Sequence, residues 1–295
     1  MPADSEPSAT ASAPRSGPAG AGVVNFRDAS EANPNVKRGR LYRCSQFDSL
    51  EGVPTLRTIV DLRRAGSAPA QCQRGAEGAV RAVPLVGRDA AVSILVGLSW
   101  RVKAQALCGR ESMEQLVSRH YFQSPDTILD MYLRMLRARA EMARIALMLA
   151  DRESYPVLVH WCVVAPGRGR RFARLTPLRA TDPALRSVAG KDRTGIVIAL
   201  FTSLCRREPD WRHRVCLDYC CSFPRLREAR PALERLGWID GVPFSDDILA
   251  TPYETMAALL RTVEARFGSV RGYFTDYVGV EAAVLDRVVE NLEGA

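Results

Sequence analysis

The sequence predicts an α/β fold, with a mainly parallel central sheet flanked by helices, and three observations carry that expectation. Leu56–Arg63 (LRTIVDLR) is a short β-branched run that ends in charge, the pattern of an inner parallel strand. Tyr155–His160 (YPVLVH) is a second run of the same kind, reached through a long amphipathic stretch, 128–150, with apolar residues at helical spacing. The glycine-containing turn Ala189–Gly195 (AGKDRTG) runs straight into the apolar Ile196–Phe201, so a tight loop opens a hydrophobic helix.

Taken in order, residues 1–22 are Ala, Ser, Pro and Gly with scattered charge, too poor in apolar surface to order, and are expected to be a disordered tail. Order should begin at Val23–Asp28 and run through a loop at Asn33-Pro34-Asn35 to Gly39–Ser45. The strand Leu56–Arg63 follows, carrying Asp61 and Arg63 to the C-terminal edge of the sheet, where open α/β folds place ligands. That pair reads equally well as a solvated salt bridge. Val83–Val86 is a further short strand, and 87–125 holds two helices, at 90–106 and 111–121. One long helix is expected over 128–150, another over 208–222, and closing helices over 255–267 and 281–292. The domain is thus 23–292, with an insertion at 161–186.

The loop Ala189–Gly195 is where chemistry is expected. Backbone N–H groups, a positive helix end and the guanidinium fork of Arg193 converge on one point, which makes an anion cradle of the P-loop type. Lys191 and Asp192 read either as part of that cradle or as a solvated charge pair.

With His160 and a cysteine before the interruption and GKDRTG after it, the chain resembles the protein-tyrosine-phosphatase superfamily, most closely the branch whose signature reads HCxxGKDRTG. The signature is cut in two. Six residues before Arg193, at the nucleophile's own position, stands Ser187, with Arg186 where the histidine belongs. Further words of the same family are met in order: NFRD at Asn25–Asp28, GxLYRS around Gly39–Ser45, IDLR at 59–63 (IVDLR), DYxxS at Asp218–Ser222 and a GSxxxY turn at Gly268–Tyr273. The resemblance spans 23–292 and implies one cysteine-phosphatase-like α/β domain with helices on both faces.

What the resemblance implies is a phosphomonoester hydrolase of tyrosine or dual specificity, or one acting on phosphoinositides. A cysteine thiolate attacks phosphorus, Arg193 grips two non-bridging oxygens, and an acid protonates the leaving oxygen. No metal or cofactor is required. The catalytic candidates are Cys162, Asp192 and Arg193, with Asp61 as a secondary acid. By the same resemblance the phosphate-binding residues would be Ala189, Gly190, Lys191, Arg193 and Thr194, with the amides of 188–193. Lys191 adds a second cation, associated in this family with lipid or multiply phosphorylated substrates, and Thr194 would hydrogen-bond the thiolate. Ser187 has no base beside it, and an unactivated hydroxyl is too weakly acidic to replace a thiolate. The chance signature Cys162–Arg168 lacks a helix-forming run after it. Because an insertion of this size should push the strand end and the cradle apart, the alternative is a catalytically impaired, phosphate-binding pseudophosphatase. A rhodanese-like sulfurtransferase also uses a loop cysteine but does not call for the KDRTG half.

The interruption has the form of a translated intron. A Trp161-Cys162-Val163 start can be written with a splice-donor GT inside it, and joining its first two bases to the end of an Arg186-Ser187 coding stretch makes a cysteine codon. The product would read VLVHCVAGKDRTG. The segment 161–186 carries six arginines against one aspartate, so five of the eight net positive charges belong to it, and nucleic-acid binding is not expected. The eight cysteines, at 44, 72, 108, 162, 205, 216, 220 and 221, show no CxxC pair and read as free thiols of a reducing compartment. With no apolar run of about 18 residues and no signal peptide, a cytoplasmic chain without a transmembrane segment is expected, acting on a phosphorylated protein or phosphoinositide.

Overall fold

The computed structural model describes residues 23–45, 53–62, 78–85, 88–107, 120–121, 124–161, 190–206, 208–235 and 246–294. The tail, Arg63, Cys162, Ser187, Ala189, almost all of the insertion and most of the 111–121 helix lie outside the described residues.

Among the described residues one five-stranded sheet runs in the order β1-β2-β5-β3-β4, with β1 Arg27–Asp28, β2 Leu41–Cys44, β3 Thr58–Asp61, β4 Ala79–Ala82 and β5 Val157–His160. Only β1 is antiparallel to its neighbour; the other ladders are parallel, as the sequence predicts. Every residue of β2, β3 and β5 is buried, because inner parallel strands are covered on both faces. β4 is a mostly exposed edge strand, AVRA, and this explains the misplaced strand expectation at Val83–Val86. Val83 and Leu85 are buried, but they follow the ladder rather than form it. Register aligns Cys44 and Asp61 on either side of His160, so three strand ends stand abreast at the C-terminal edge.

Among the described residues the α-helices of four residues or more are α1 Arg88–Gly97, α2 Trp100–Leu107, α3 Pro125–Met135, α4 Arg139–Ala150, α5 Asp192–Thr202, α6 Trp211–Cys220, α7 Ser222–Glu228, α8 Arg230–Arg235, α9 Asp246–Leu249, α10 Tyr253–Phe267 and α11 Ala282–Glu293. The single helix expected over 128–150 is two. Ser124 and Thr127 form a reciprocal capping box at the start of α3, with Pro125 in its first turn, and the chain bends at Leu136–Ala138. The break lets α3 pack on α10 while α4 packs on α11, and the Tyr273 hydroxyl donates to the Leu136 carbonyl left at the bend, 2.9 Å away. The helix expected over 208–222 divides likewise into α6 and α7.

At the other end of the sheet, Asp28 holds the turn after β1. Its carboxylate accepts from Ser30 N at 2.9 Å and from Gly39 N at 2.6 Å, tying the first turn to the start of β2. Helix α5 is buried along its whole length and packs on β2 and β5, which is why its sequence is apolar all round after the first turn. Phe201 on α5 meets Phe274 at 4.7 Å between ring centroids, joining the central helix to the C-terminal layer. Among the described residues no helix is long and apolar enough to cross a membrane.

Candidate functional site

The strand β5 delivers His160, fully buried, to the C-terminal edge, and Trp161 follows it with 4% of its surface exposed. The chain reappears at Gly190 directly against this point. Gly190 has φ +63°, and a Cβ there would lie 2.6 Å from Ser45 Cα, 2.8 Å from the Cys44 carbonyl oxygen and 3.0 Å from the Trp161 carbonyl oxygen. Only glycine fits both the left-handed conformation and the close approach. The expectation that the insertion pushes the strand end away from the cradle is therefore corrected: residues 161 and 190 abut, because the sheet edge and α5 hold their places through packing on both sides of the interruption.

Helix α5 starts at Asp192, with Lys191 as the preceding residue and the Gly195 amide closing on the Lys191 carbonyl at 3.0 Å. Arg193, 4% exposed, lays its guanidinium over the Trp161 indole, 4.7 Å from the ring centroid. So the half-signature before the interruption touches the half after it through Trp161, the residue that follows His160. Thr194 is fully buried, and its hydroxyl has no hydrogen-bond partner among the described residues, an orphan polar group in the first turn of the helix.

Lys191 and Asp192 are not a solvated pair. Both are fully buried, with Lys191 Nζ 2.8 Å from Asp192 Oδ1. The same oxygen accepts from the Tyr132 hydroxyl at 2.5 Å, and the Tyr132 and Tyr219 hydroxyls lie 2.7 Å apart. Burial, and after it the charge of Asp192, pushes both phenols well above the usual tyrosine value. Gly195 completes this wall, since a Cβ there would come within 3.1 Å of the Tyr219 ring. Asp61, 2% exposed, is likewise not in solvent; its Oδ1 lies 3.8 Å from His160 Nε2 across the β3–β5 ladder.

Behind the loop lies a buried ionic cluster. Arg27 Nε donates to Asp218 Oδ1 at 2.8 Å, Arg43 Nη1 donates to Asp218 Oδ2, and both guanidiniums reach Ser222 Oγ, at 3.0 and 3.4 Å. Arg43 Nη2 also points at the Gly190 carbonyl, 3.5 Å away. Burial alone would raise the Asp218 carboxyl, but the two guanidiniums outweigh it and bring it down to about 2. Burial and the charge of Arg27 draw Arg43 down to about 10, so it stays charged at neutral pH.

Arg193, Asp192, Lys191 and Asp61, the candidates named from the sequence, all lie at this edge of the sheet, while their neighbours were not named from it: Tyr132, Tyr219, the stacking of Trp161 and the joining of Arg27, Arg43 and Asp218. The signal for the last was present, since each is a charged residue within one of the short words NFRD, GRLYR and DYCCS.

A family model described as the tyrosine phosphatase family matches residues 19–165 and 173–293, and the short unmatched stretch falls inside the interruption. Among curated proteins none matches this chain.

Proposed function

Because the chain belongs to the tyrosine phosphatase family, we propose that it is a cysteine-dependent phosphomonoester hydrolase working through a phosphocysteine intermediate. The observation that carries this reading is a juxtaposition: Gly190 seated on the ends of β2 and β5, with Arg193 beside the residue that follows His160. In this reading Cys162, one residue beyond Trp161, supplies the thiolate. Its sulfur attacks phosphorus, the bond to the leaving oxygen breaks, and a carboxylic acid protonates that oxygen. Water then attacks the phosphocysteine, the carboxylate takes its proton, the P–S bond breaks and phosphate leaves. Arg193 holds two non-bridging oxygens throughout, as its planar fork matches them. Asp192 is the proposed acid and Asp61 the second candidate.

The substrate class we favour is a phosphorylated protein, phosphotyrosine before phosphoserine or phosphothreonine. Lys191, the cation that would argue for a phosphoinositide, is engaged by Asp192 at 2.8 Å. A cytoplasmic site of action fits the thiol form of Cys216, Cys220 and Cys221.

One observation favours a second reading, phosphate binding without turnover: the Trp161 indole, not a sulfur, follows His160 and covers a face of Arg193. Hydrolysis of p-nitrophenyl phosphate separates the two. Activity in this chain that disappears in Cys162→Ser supports the hydrolase. No activity here, but activity once 161–186 is removed and Ser187→Cys restores HCVAGKDRTG, supports the pseudophosphatase and the retained-intron origin of the insertion. A transcript with one continuous exon and no shorter form would end the intron account.

A further inference from the structure

The Arg27–Asp218–Arg43 cluster carries two guanidiniums against one carboxylate among the described residues, and it is sealed from solvent: Arg27 is 2%, Arg43 0% and Asp218 5% exposed. Nothing about holding strands β1 and β2 to helix α6 requires that imbalance, and a buried net charge is costly. Its position accounts for it. Arg43 Nη2 lies 3.5 Å from the Gly190 carbonyl, and a Cβ on Gly195 would stand 3.7 Å from the same nitrogen, so the guanidinium sits between the tight turn and the first turn of α5. Arg43 Nε has no hydrogen-bond partner among the described residues, so not all of the cluster's donors are satisfied locally.

We propose that this cluster is an electrostatic support for the anion loop, with Arg43 as its positioning residue. Arg43 holds the Gly190 carbonyl turned toward itself, and the cluster's surplus positive charge raises the loop's affinity for a phosphoryl dianion. A charge in a low-dielectric interior acts over longer range than one in water, so it reaches the anion without touching it. Ser222 and Asn25 complete the arrangement: Ser222 Oγ accepts from both guanidiniums, and Asn25 Oδ1 accepts from Arg27.

The inference rests on Arg193 binding a phosphoryl group, and the test keeps the two apart. Orthophosphate affinity is measured on the full chain by calorimetry at low ionic strength, beside the melting temperature. If Arg193→Ala binds phosphate as well as the parent chain, the phosphate-cradle reading itself fails. If Arg193→Ala abolishes binding, Arg43→Met is expected to weaken it roughly three- to tenfold, with Arg43→Lys recovering much of the loss. Asp218→Asn removes the one counter-charge and is expected to tighten binding by a similar factor while lowering the melting temperature. A purely structural cluster cannot give that opposition of signs. Should Asp218→Asn fail to fold, Cys221→Asp serves instead. Cys221 is partly exposed and lies within the field of Arg27, Asp218 and Arg43, so a carboxylate there lowers the net charge without removing a member of the cluster. Cys221→Asp is expected to weaken binding about twofold or more, and Cys221→Asn to leave it unchanged. Affinity that is unchanged in Arg43→Met and Cys221→Asp, or that falls only in step with melting temperature in every variant, overturns the proposal.

Discussion

Replacing Asp192 by Asn tests the innermost ion pair of the loop. Both Lys191 and Asp192 are fully buried, so the substitution leaves an ammonium in the interior facing a neutral amide. Breaking such a pair from one side costs about 3–5 kcal/mol, whereas an exposed pair costs at most about 1. The Asn carbonyl still accepts the Tyr132 hydroxyl now 2.5 Å from Oδ1, so the loss is assigned to the missing charge of Asp192 and not to the phenol. For a domain of this size, that is a fall of roughly 8–15 °C in melting temperature. Removing the cation as well, in Lys191→Met with Asp192→Asn, takes away the buried charge that Asp192 had balanced and should recover much of the stability. The double-mutant cycle is then expected to show a coupling of at least about 2 kcal/mol. Urea unfolding at pH 7 measures it, with the midpoint moving and the slope constant. A single substitution costing under about 1 kcal/mol, or a double variant equal to the sum of the singles, would refute the reasoning that this pair is desolvated.

Three other outcomes follow from the same geometry. Gly190→Ala must place a Cβ 2.6 Å from Ser45 Cα at φ +63°, so it should cost about 2 kcal/mol or more and lower orthophosphate affinity at least about tenfold, read by calorimetry. The Asp218 carboxyl is held at about 2 against an unfolded value of 3.8, so its contribution of roughly 2 kcal/mol is complete above the unfolded value and is lost as pH falls through about 2. Acid unfolding monitored by circular dichroism between pH 5 and 2 should show that limb, and its absence would mean the carboxylate is not held by the two arginines. For the acid in the proposed reaction, the informative contrast is between leaving groups: loss of the proton donor hits an alkyl phosphate far harder than p-nitrophenyl phosphate. The larger of those ratios, in Asp61→Asn or Asp192→Asn, identifies which carboxyl donates, and equal ratios near one would exclude both.

The sequence by itself determined the layers and the loop. β-branched runs at 58–61 and 157–160 can only be covered on both faces, and a glycine turn leading into an apolar helix brings Gly190 and the first turn of α5 to the sheet edge. Those are local facts of period, bulk and backbone freedom. It misjudged β4 because an exposed edge strand carries no apolar pattern, and it ran α3 into α4 because the bend at Leu136 is decided by which helices each half packs against. What only the tertiary structure decided is how charges are paired and whether a gap in the chain is a gap in space. Lys191 and Asp192, which the sequence left open between cradle residues and a solvated pair, are sealed inside; Arg27 and Arg43 share the carboxylate of Asp218, which is far from both along the chain. Trp161 and Gly190, separated by the whole interruption, lie in contact because burial and register fix the strand end and the helix independently of the chain between them.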